Sequence, residues 1–579
     1  MPLLTPLLRG GRAAWERLPL AGGEPPAVLV ADGDARVVRV PLALLTQLAD
    51  QLVELFSQEP GPGGGWRIDP ARADLVEAID RLSPRWIGAE RLRALADRLR
   101  SCLDPPAVAP PEALCAKLRP YQLQGLAWLQ RLRELGVGGL LADDMGLGKT
   151  VQVIAHLLTE VAAGRADRPS LVVCPASVVG VWREQIARFA PSLTVTVLHG
   201  PKRTTPRAAT TAVVITSYGT LARDVEGFAK VAWHIAICDE AQAVKNAGTS
   251  SAAAVRRIDA RQRLALTGTP VENHLGELHA LLGWAAPGVL GPVAQFTQAF
   301  RKPIEDDGDR ARQGLLRRRV APFLLRRTKT AVAADLPPRT DIDVAVEFGP
   351  AQRRLYDTIR LAMDGRVRAA IAERGLGRSG LDVIEALLRL RQTCCDPRLL
   401  PAAMAAGCAE SAKLDVLAEL LRTLLDEGRT VLVFSQFTSL LDLVESEVLK
   451  PAGTTWLRLD GQSRDRAGLV ERFQNGEAPV FLLSLKACGT GLTLTAADSV
   501  ILLDPWWNPA VERQAADRAH RIGQQRPVTI YRLVVSGTVE ERIRGLQARK
   551  SALADALTDE SGQSLGRLTL TDIEALIGE

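Results

Sequence analysis

The stretch Gly138-Gly139-Leu140-Leu141-Ala142-Asp143-Asp144-Met145-Gly146-Leu147-Gly148-Lys149-Thr150, running on into the apolar-rich Val151 to Thr159, decides the reading of this chain. An apolar strand enters a glycine-rich turn, and the turn opens a helix. That arrangement aims backbone N–H groups and the positive end of the helix at phosphate oxygens. Residues Asp144, Met145, Gly146, Leu147 and Gly148 would wrap the phosphates, Lys149 would reach the terminal ones, and Thr150 would ligate Mg²⁺. The strict form of the pattern has glycine where Asp143 stands. The chemistry predicted here is the binding of a nucleoside triphosphate.

A second element completes a magnesium site. The apolar run Ile235-Ala236-Ile237-Cys238 ends in Asp239-Glu240-Ala241-Gln242. At the carboxyl end of a strand one carboxylate can hold the metal while its neighbour orients and helps deprotonate a water. Asp239 is assigned to the metal and Glu240 to the water.

Outward from these motifs, apolar runs alternate with helix-like segments. They fall at Gly139 to Ala142, Leu171 to Cys174, Ala212 to Thr216, His234 to Cys238 and Arg263 to Leu266. A second series runs through Thr430 to Phe434, Trp456 to Leu459, Val480 to Leu483, Ser499 to Leu503 and Val528 to Leu533. The spacing predicts two tandem α/β lobes, each a parallel sheet covered by helices. Pro105-Pro106-Ala107-Val108-Ala109-Pro110-Pro111 reads as a semi-rigid linker. Before it lie helix-like stretches at Leu42 to Phe56 and Ala89 to Leu103. The expected division is an N-terminal accessory region over 1–104, a proline-rich linker over 105–112, lobe one over 113–340, lobe two over 341–560 and a tail over 561–579.

The chain has 579 residues, too many for one core, and 47% of them are hydrophobic, which rules out a mainly disordered protein. Lys plus Arg number 72 against 66 Asp plus Glu, so the net charge of +6 does not by itself indicate a polyanionic partner. Basic clusters occur at Arg317, Arg318 and Arg319 and at Arg326, Arg327 and Lys329, and a solvated helix face is a commoner explanation of such runs than a nucleic-acid surface. The eight cysteines show no Cys-x-x-Cys spacing, so a zinc site is not expected. No secretory signal or membrane-length apolar run is visible, and an intracellular, cytoplasmic location is expected.

Read together, the motifs resemble those of superfamily-two helicases, and in detail those of the Swi/Snf-type ATP-dependent DNA translocases. The resemblance runs from Leu118 to about Gln547. Leu118-Arg119-Pro120-Tyr121-Gln122, with Gly125 and Trp128, is similar to the motif on the adenine side, which implies that Gln122 lies near the base. The phosphate loop resembles the family's own, acidic residue included. Val172 to Ser177 with Trp182, and Thr216-Ser217-Tyr218, look like segments that track one DNA strand, although Val181 stands where asparagine is usual. Leu266-Thr267-Gly268-Thr269-Pro270 resembles the motif that couples the nucleotide to motion. Phe323 to Lys329, Asp335 to Arg339, and Leu390-Arg391-Gln392 are also family-like. In the second lobe Ser484 to Leu492, Asp504-Pro505-Trp506-Trp507-Asn508-Pro509 and Gln514 to Gln524 follow in the family's order.

The resemblance implies two RecA-like lobes that share ATP and Mg²⁺. Lys149 and Glu240 would act from lobe one, and Arg521 and Arg518 from lobe two, where a spacing of three predicts that both arginines share one helix face. Gly491 would lie at the nucleotide, and Thr267, Thr269 and Gln514 would couple it to motion. DNA contacts, chiefly to the phosphates of a duplex, are implied for Thr216, Ser217, Lys486 and Thr490. The activity implied is DNA-dependent ATP hydrolysis driving translocation on double-stranded DNA and displacement of bound proteins. A strand-separating helicase, an RNA-directed ATPase and a non-hydrolysing DNA clamp are the alternatives. The lack of added modules suggests a compact prokaryotic form, nucleoid-associated, whose N-terminal region can dock a protein partner.

Overall fold

In the computed structural model the described residues are Ala94 and 97–545, apart from 201–210, 247, 269–273, 333–335, 375–379, 406, 486–491 and 507–508, together with three strands nearer the N-terminus. Those strands, β1 (Leu20–Ala21), β2 (Ala27–Ala31) and β3 (Val37–Pro41), pair antiparallel in that order. The helix-like stretch Leu42 to Phe56 lies outside the described residues. Of Ala89 to Leu103, residues 97–100 are helical.

Seven parallel strands build the first lobe. They are β4 (Gly139–Leu141), β5 (Ser170–Cys174), β6 (Val195–Leu198), β7 (Val213–Ser217), β8 (Trp233–Asp239), β9 (Ala260–Leu266) and β10 (Leu324–Leu325), in the spatial order β10-β4-β9-β8-β5-β7-β6. Strands β5 and β7 are buried along their whole length, as expected of a sheet covered on both faces. The register sets Leu141 beside Leu266 and Leu266 beside Asp239. The phosphate loop, the acidic pair and Thr267 therefore leave the sheet together at its carboxyl end, where ligands of open α/β sheets bind.

The second lobe has six parallel strands, β11 (Arg339–Val346), β12 (Val431–Ser435), β13 (Trp456–Leu459), β14 (Val480–Ser484), β15 (Ser499–Leu502) and β16 (Val528–Val535), ordered β11-β16-β15-β12-β14-β13. Alternate residues of its central strands serve different cores. Val431, Val433, Val480 and Leu482 pack toward the helices Pro350–Arg374 and Gly380–Cys395, whereas Leu432, Phe434, Phe481 and Leu483 pack on the other face.

Two parallel-sheet α/β lobes are thus present. The expected strands fall within three residues of their observed bounds, but β6, β10 and β11, like β1 to β3, were not anticipated from the sequence. Strand β11 lies at a sheet edge, is mostly exposed, and carries Arg339, Asp341 and Asp343, so it lacks an apolar signature. The chain leaves the first sheet at Leu325 and enters the second at Arg339.

Candidate active site

The phosphate loop is shaped by two glycines with left-handed backbones, Gly146 at φ 87° and Gly148 at φ 77°, where a side chain would be strained. Gly148 caps the helix Lys149–Ala162, so the amides of that helix's first turn face the loop. Lys149 Nζ donates to the carbonyl of Asp143 at 2.6 Å and that of Asp144 at 3.5 Å, which folds its ammonium back over the loop. Thr150 follows in the first turn and lines the same cleft. Gln122 clamps the loop from outside. Its Oε1 accepts from the Arg119 N–H at 2.9 Å, and its Nε2 donates to the Leu147 carbonyl at 3.1 Å, beside the Tyr121 hydroxyl that donates to the same carbonyl at 2.9 Å.

Asp143, in the position of the missing glycine, is fully buried and paired with Arg327. Arg327 Nε donates to Asp143 Oδ1 at 2.9 Å, and its terminal nitrogens reach Asp143 Oδ2, the Tyr121 carbonyl and Gln152 Oε1. Its guanidinium also lies 5.2 Å from the Tyr121 ring centre. The backbone N–H of Lys329 donates to Asp144 Oδ2 at 3.0 Å. This corrects the reading of Arg327 and Lys329 as a solvated face or a nucleic-acid surface: both side chains are under a tenth exposed and pair with carboxylates. Arg319 is likewise buried, over the Phe300 ring at 4.9 Å.

At the end of β8 the acidic pair is held with equal definition. Asp239 Oδ2 accepts from Trp182 Nε1 at 2.8 Å and Oδ1 accepts from the Glu240 N–H at 2.9 Å. Burial and the neighbouring Glu240 nevertheless push its carboxyl up from an ordinary 3.8 to about 6. Glu240 has φ 49°, which makes it the one non-glycine among the described residues with a left-handed backbone. Such a backbone is strained in a non-glycine residue, and strain of this kind clusters at functional positions. Glu240 Oε2 accepts from Gln242 Nε2 at 2.7 Å, and Gln242 Oε1 accepts from the Thr267 hydroxyl at 2.9 Å. Sequence reasoning assigned Gln242 nothing, and its place two residues after Glu240 is the signal that could have found it. Trp182, expected near a DNA strand, is fully buried and serves Asp239 instead.

Lobe two closes the site. The helix Pro509–Ala516 stops before Arg518, so the two arginines sit on the tight turns that follow and not on one helix face. Both still face the cleft. Arg521 packs on the phosphate loop so closely that a Cβ on Gly146 would lie 2.7 Å from Arg521 Cγ. Its Nη1 donates to the Thr493 hydroxyl at 3.0 Å. Removal from water and the nearby Arg518 lower its pKa to about 10, opposed by Asp517, Glu240 and Asp239. Arg518 Nη1 donates to the Leu492 carbonyl at 3.3 Å, within its own lobe. A cleft of about 390 Å³ results, lined by Gln122, Lys149, Thr150, Asp239 and Glu240 from one lobe and by Thr493, Arg518 and Arg521 from the other.

The remaining expectations separate. Thr216 is fully buried and donates its hydroxyl to the Leu198 carbonyl at 2.8 Å, and Ser217 caps the helix Tyr218–Arg223. The expectation that the Thr216 side chain meets DNA is therefore corrected, because its hydroxyl is already used inside the sheet. Gln514 lies on the helix Pro509–Ala516 and is not among the residues that line the cleft. Thr269, Lys486, Thr490 and Gly491 lie outside the described residues. Among the described residues no group of three or more His, Cys, Asp or Glu gathers as a metal site. A divalent cation at Thr150 and Asp239 would complete its shell with phosphate oxygens and water, as magnesium does beside nucleotides. The buried Asp239, disfavoured as a bare anion, fits such a cation. No helix among the described residues is long and apolar enough to cross a membrane.

Two family models and several known proteins match most of this chain. The family model described as SNF2-related domain matches residues 121–399, and the helicase conserved C-terminal domain matches 412–523. Bacillus subtilis YwqA, named an ATP-dependent helicase/translocase, is 37% identical over 519 residues, covering 87% of this chain and 55% of that protein. The human SWI/SNF-related matrix-associated actin-dependent regulator of chromatin subfamily A member 1 is 37% identical over 459 residues, covering 75% of this chain and 43% of its own. The Sulfolobus solfataricus SWI2/SNF2 ATPase core, solved in complex with dsDNA, is 32% identical and covers 81% of this chain and 99% of that one, with a TM-score of 0.41. The two lobes define a superfamily-two, helicase-like architecture. The chain belongs to the Swi/Snf-type family within it. It spans 55% and 43% of the length of these two curated relatives.

Proposed function

We propose that the protein hydrolyses ATP in the cleft between its lobes, that duplex DNA stimulates this turnover, and that the cycle moves the protein along the duplex and displaces what is bound there. The observation that carries the reading is the packing of the Arg521 stem on Gly146, together with the electrostatic influence of lobe-one Glu240 and Asp239 on its guanidinium, because the two bring a lobe-two cation to the lobe-one site. Lys149 and the amides after Gly148 bind and orient the phosphates. Glu240 accepts a proton from the attacking water, and Gln242 holds the carboxylate toward it. Arg521 opposes the charge that builds on the terminal phosphate, a contribution that preorganised cations make best in a site shielded from water. When bound, Mg²⁺ on Thr150 and Asp239 would neutralise phosphate charge. ATP favours the closed cleft because only closure brings Arg521 to the phosphate, and hydrolysis removes that preference.

The family membership supports duplex DNA as the track, gripped through phosphates with little regard to sequence. The test is steady-state ATP hydrolysis with no nucleic acid, duplex DNA, single-stranded DNA and RNA, for the parent and for Glu240→Gln. Stimulation by the duplex that vanishes in the variant is expected. Preference for RNA or single strands defeats the duplex assignment, and turnover unaffected by Glu240→Gln defeats the assignment of the base.

A further inference from the structure

The connector between the two sheets does more than join them. Its Lys329 has its backbone N–H on Asp144 Oδ2 of the phosphate loop at 3.0 Å and its Nζ on Asp517 Oδ1 at 2.6 Å and on the His520 carbonyl. Asp517 and His520 bracket the arginine turn, since Arg518 lies between them and Arg521 follows. We propose that Lys329 is a positioning residue for hydrolysis, which sets Arg518 and Arg521 against the phosphate loop without touching the nucleotide.

Three further observations support this role. The connector holds the turn at a second point, where the His520 ring Nε2 lies 2.9 Å from the Pro337 carbonyl, and Arg339 Nη1 adds a 3.5 Å contact to Asp517. An apolar cluster of Tyr121 and Leu147 with Val332, Leu336 and Ile522 lies across the cleft, joining loop, connector and turn. The Lys329 side chain is 8% exposed and that of Asp517 13%, so their ion pair is screened little by solvent. Burial lowers the lysine's pKa, and Asp517 and Asp144 oppose that shift. A single residue thus ties one half of the site to the other, its backbone N–H to the phosphate loop and its side chain to the arginine turn. Displacing Arg521 by a fraction of its side-chain length would misalign it with charge developing on the phosphate, and such misplacement is costly even when no catalytic group is lost.

The inference rests on the ATP-hydrolysis reading, and the experiment separates the two. The full chain is assayed with saturating duplex DNA as the parent, Lys329→Met, Asp517→Asn, the double variant and Lys329→Arg. In each, kcat, KM, binding of a non-hydrolysable ATP analogue and thermal stability are measured. Lys329→Met is expected to lower kcat by about tenfold or more, with analogue affinity held within about twofold. Asp517→Asn should do the same, the double variant should be little worse than either single one, and Lys329→Arg should recover part of the rate. Losses that add in the double variant, or a fall in analogue affinity and melting temperature that accounts for the lost rate, overturn the proposal. A parent without turnover sinks the underlying reading and this inference with it, whereas an active parent with an unaffected Lys329→Met sinks the inference alone.

Discussion

Trp182 and Asp239 are joined by a 2.8 Å hydrogen bond from the indole N–H to Oδ2, although one belongs to a helix and the other ends a strand. The bond favours the charged carboxylate, against burial and Glu240, which push the group up to about 6.

Trp182→Phe removes that donor while keeping an aromatic ring in the core. The Asp239 pKa should rise further, and a protonated Asp239 cannot hold a cation. The acid limb of the pH profile of kcat/KM should therefore move to higher pH, with turnover best preserved on the alkaline side. An acid limb that stays where it is in the parent would mean that Asp239 does not govern it.

The Arg327–Asp143 pair is nearly dry, with side-chain exposures of 9% and 0%. Arg327→Met strands a buried carboxylate and should destabilise the protein by about 3–5 kcal/mol, as removal of one partner of a buried ion pair does. Adding Asp143→Gly, the residue of the strict phosphate-loop pattern, should restore much of that loss, because no unpaired charge then remains. Urea and thermal unfolding of the parent, the single and the double variants read this directly. A double variant no more stable than Arg327→Met would refute the pairing argument.

Both arginines hydrogen-bond within lobe two, but the stem of Arg521 also packs on Gly146 of the phosphate loop. Arg521→Ala should then cut kcat by about a thousandfold or more while nucleotide affinity changes little, as loss of a trans-acting arginine does in related chemistry. Arg518→Ala should cost less. The opposite ranking in steady-state kinetics would transfer the charge-stabilising role to Arg518.

The sequence carried the lobes, the phosphate loop and the acidic pair because each has a local signature. Strands such as Val431–Ser435 are unbroken apolar runs, and Gly146-Leu147-Gly148-Lys149-Thr150 is a fixed spacing. Contacts between distant residues were not legible in the same way. Trp182 lies 57 residues from Asp239, and Arg327 lies 184 from Asp143, so nothing in either neighbourhood announces the partner. Basic residues misled for the same reason: Arg326-Arg327-Thr328-Lys329 looks like a solvated run until the fold supplies Asp143 and Asp517. The turn after Ala516 was read as helix because a spacing of three is common to helices and to successive tight turns. Strand β11 escaped because an edge strand with charged residues needs no apolar pattern.

The path of the connector bears on where the proposed motion between the lobes would pivot. The chain passes from β10 to β11 beside the phosphate loop, with Arg327 fastened to one lobe and Lys329 reaching to the other. An opening of the cleft that keeps the Arg327 contact would have to stretch or break the Lys329 contacts to lobe two, so the connector would carry the hinge beside the phosphate loop. A lever hinged at that point converts a small local displacement into a much longer excursion at the far ends of both lobes. In the cycle proposed above, the fold would thus need no separate transmission to turn the loss of one phosphate contact into a large movement of one lobe against the other.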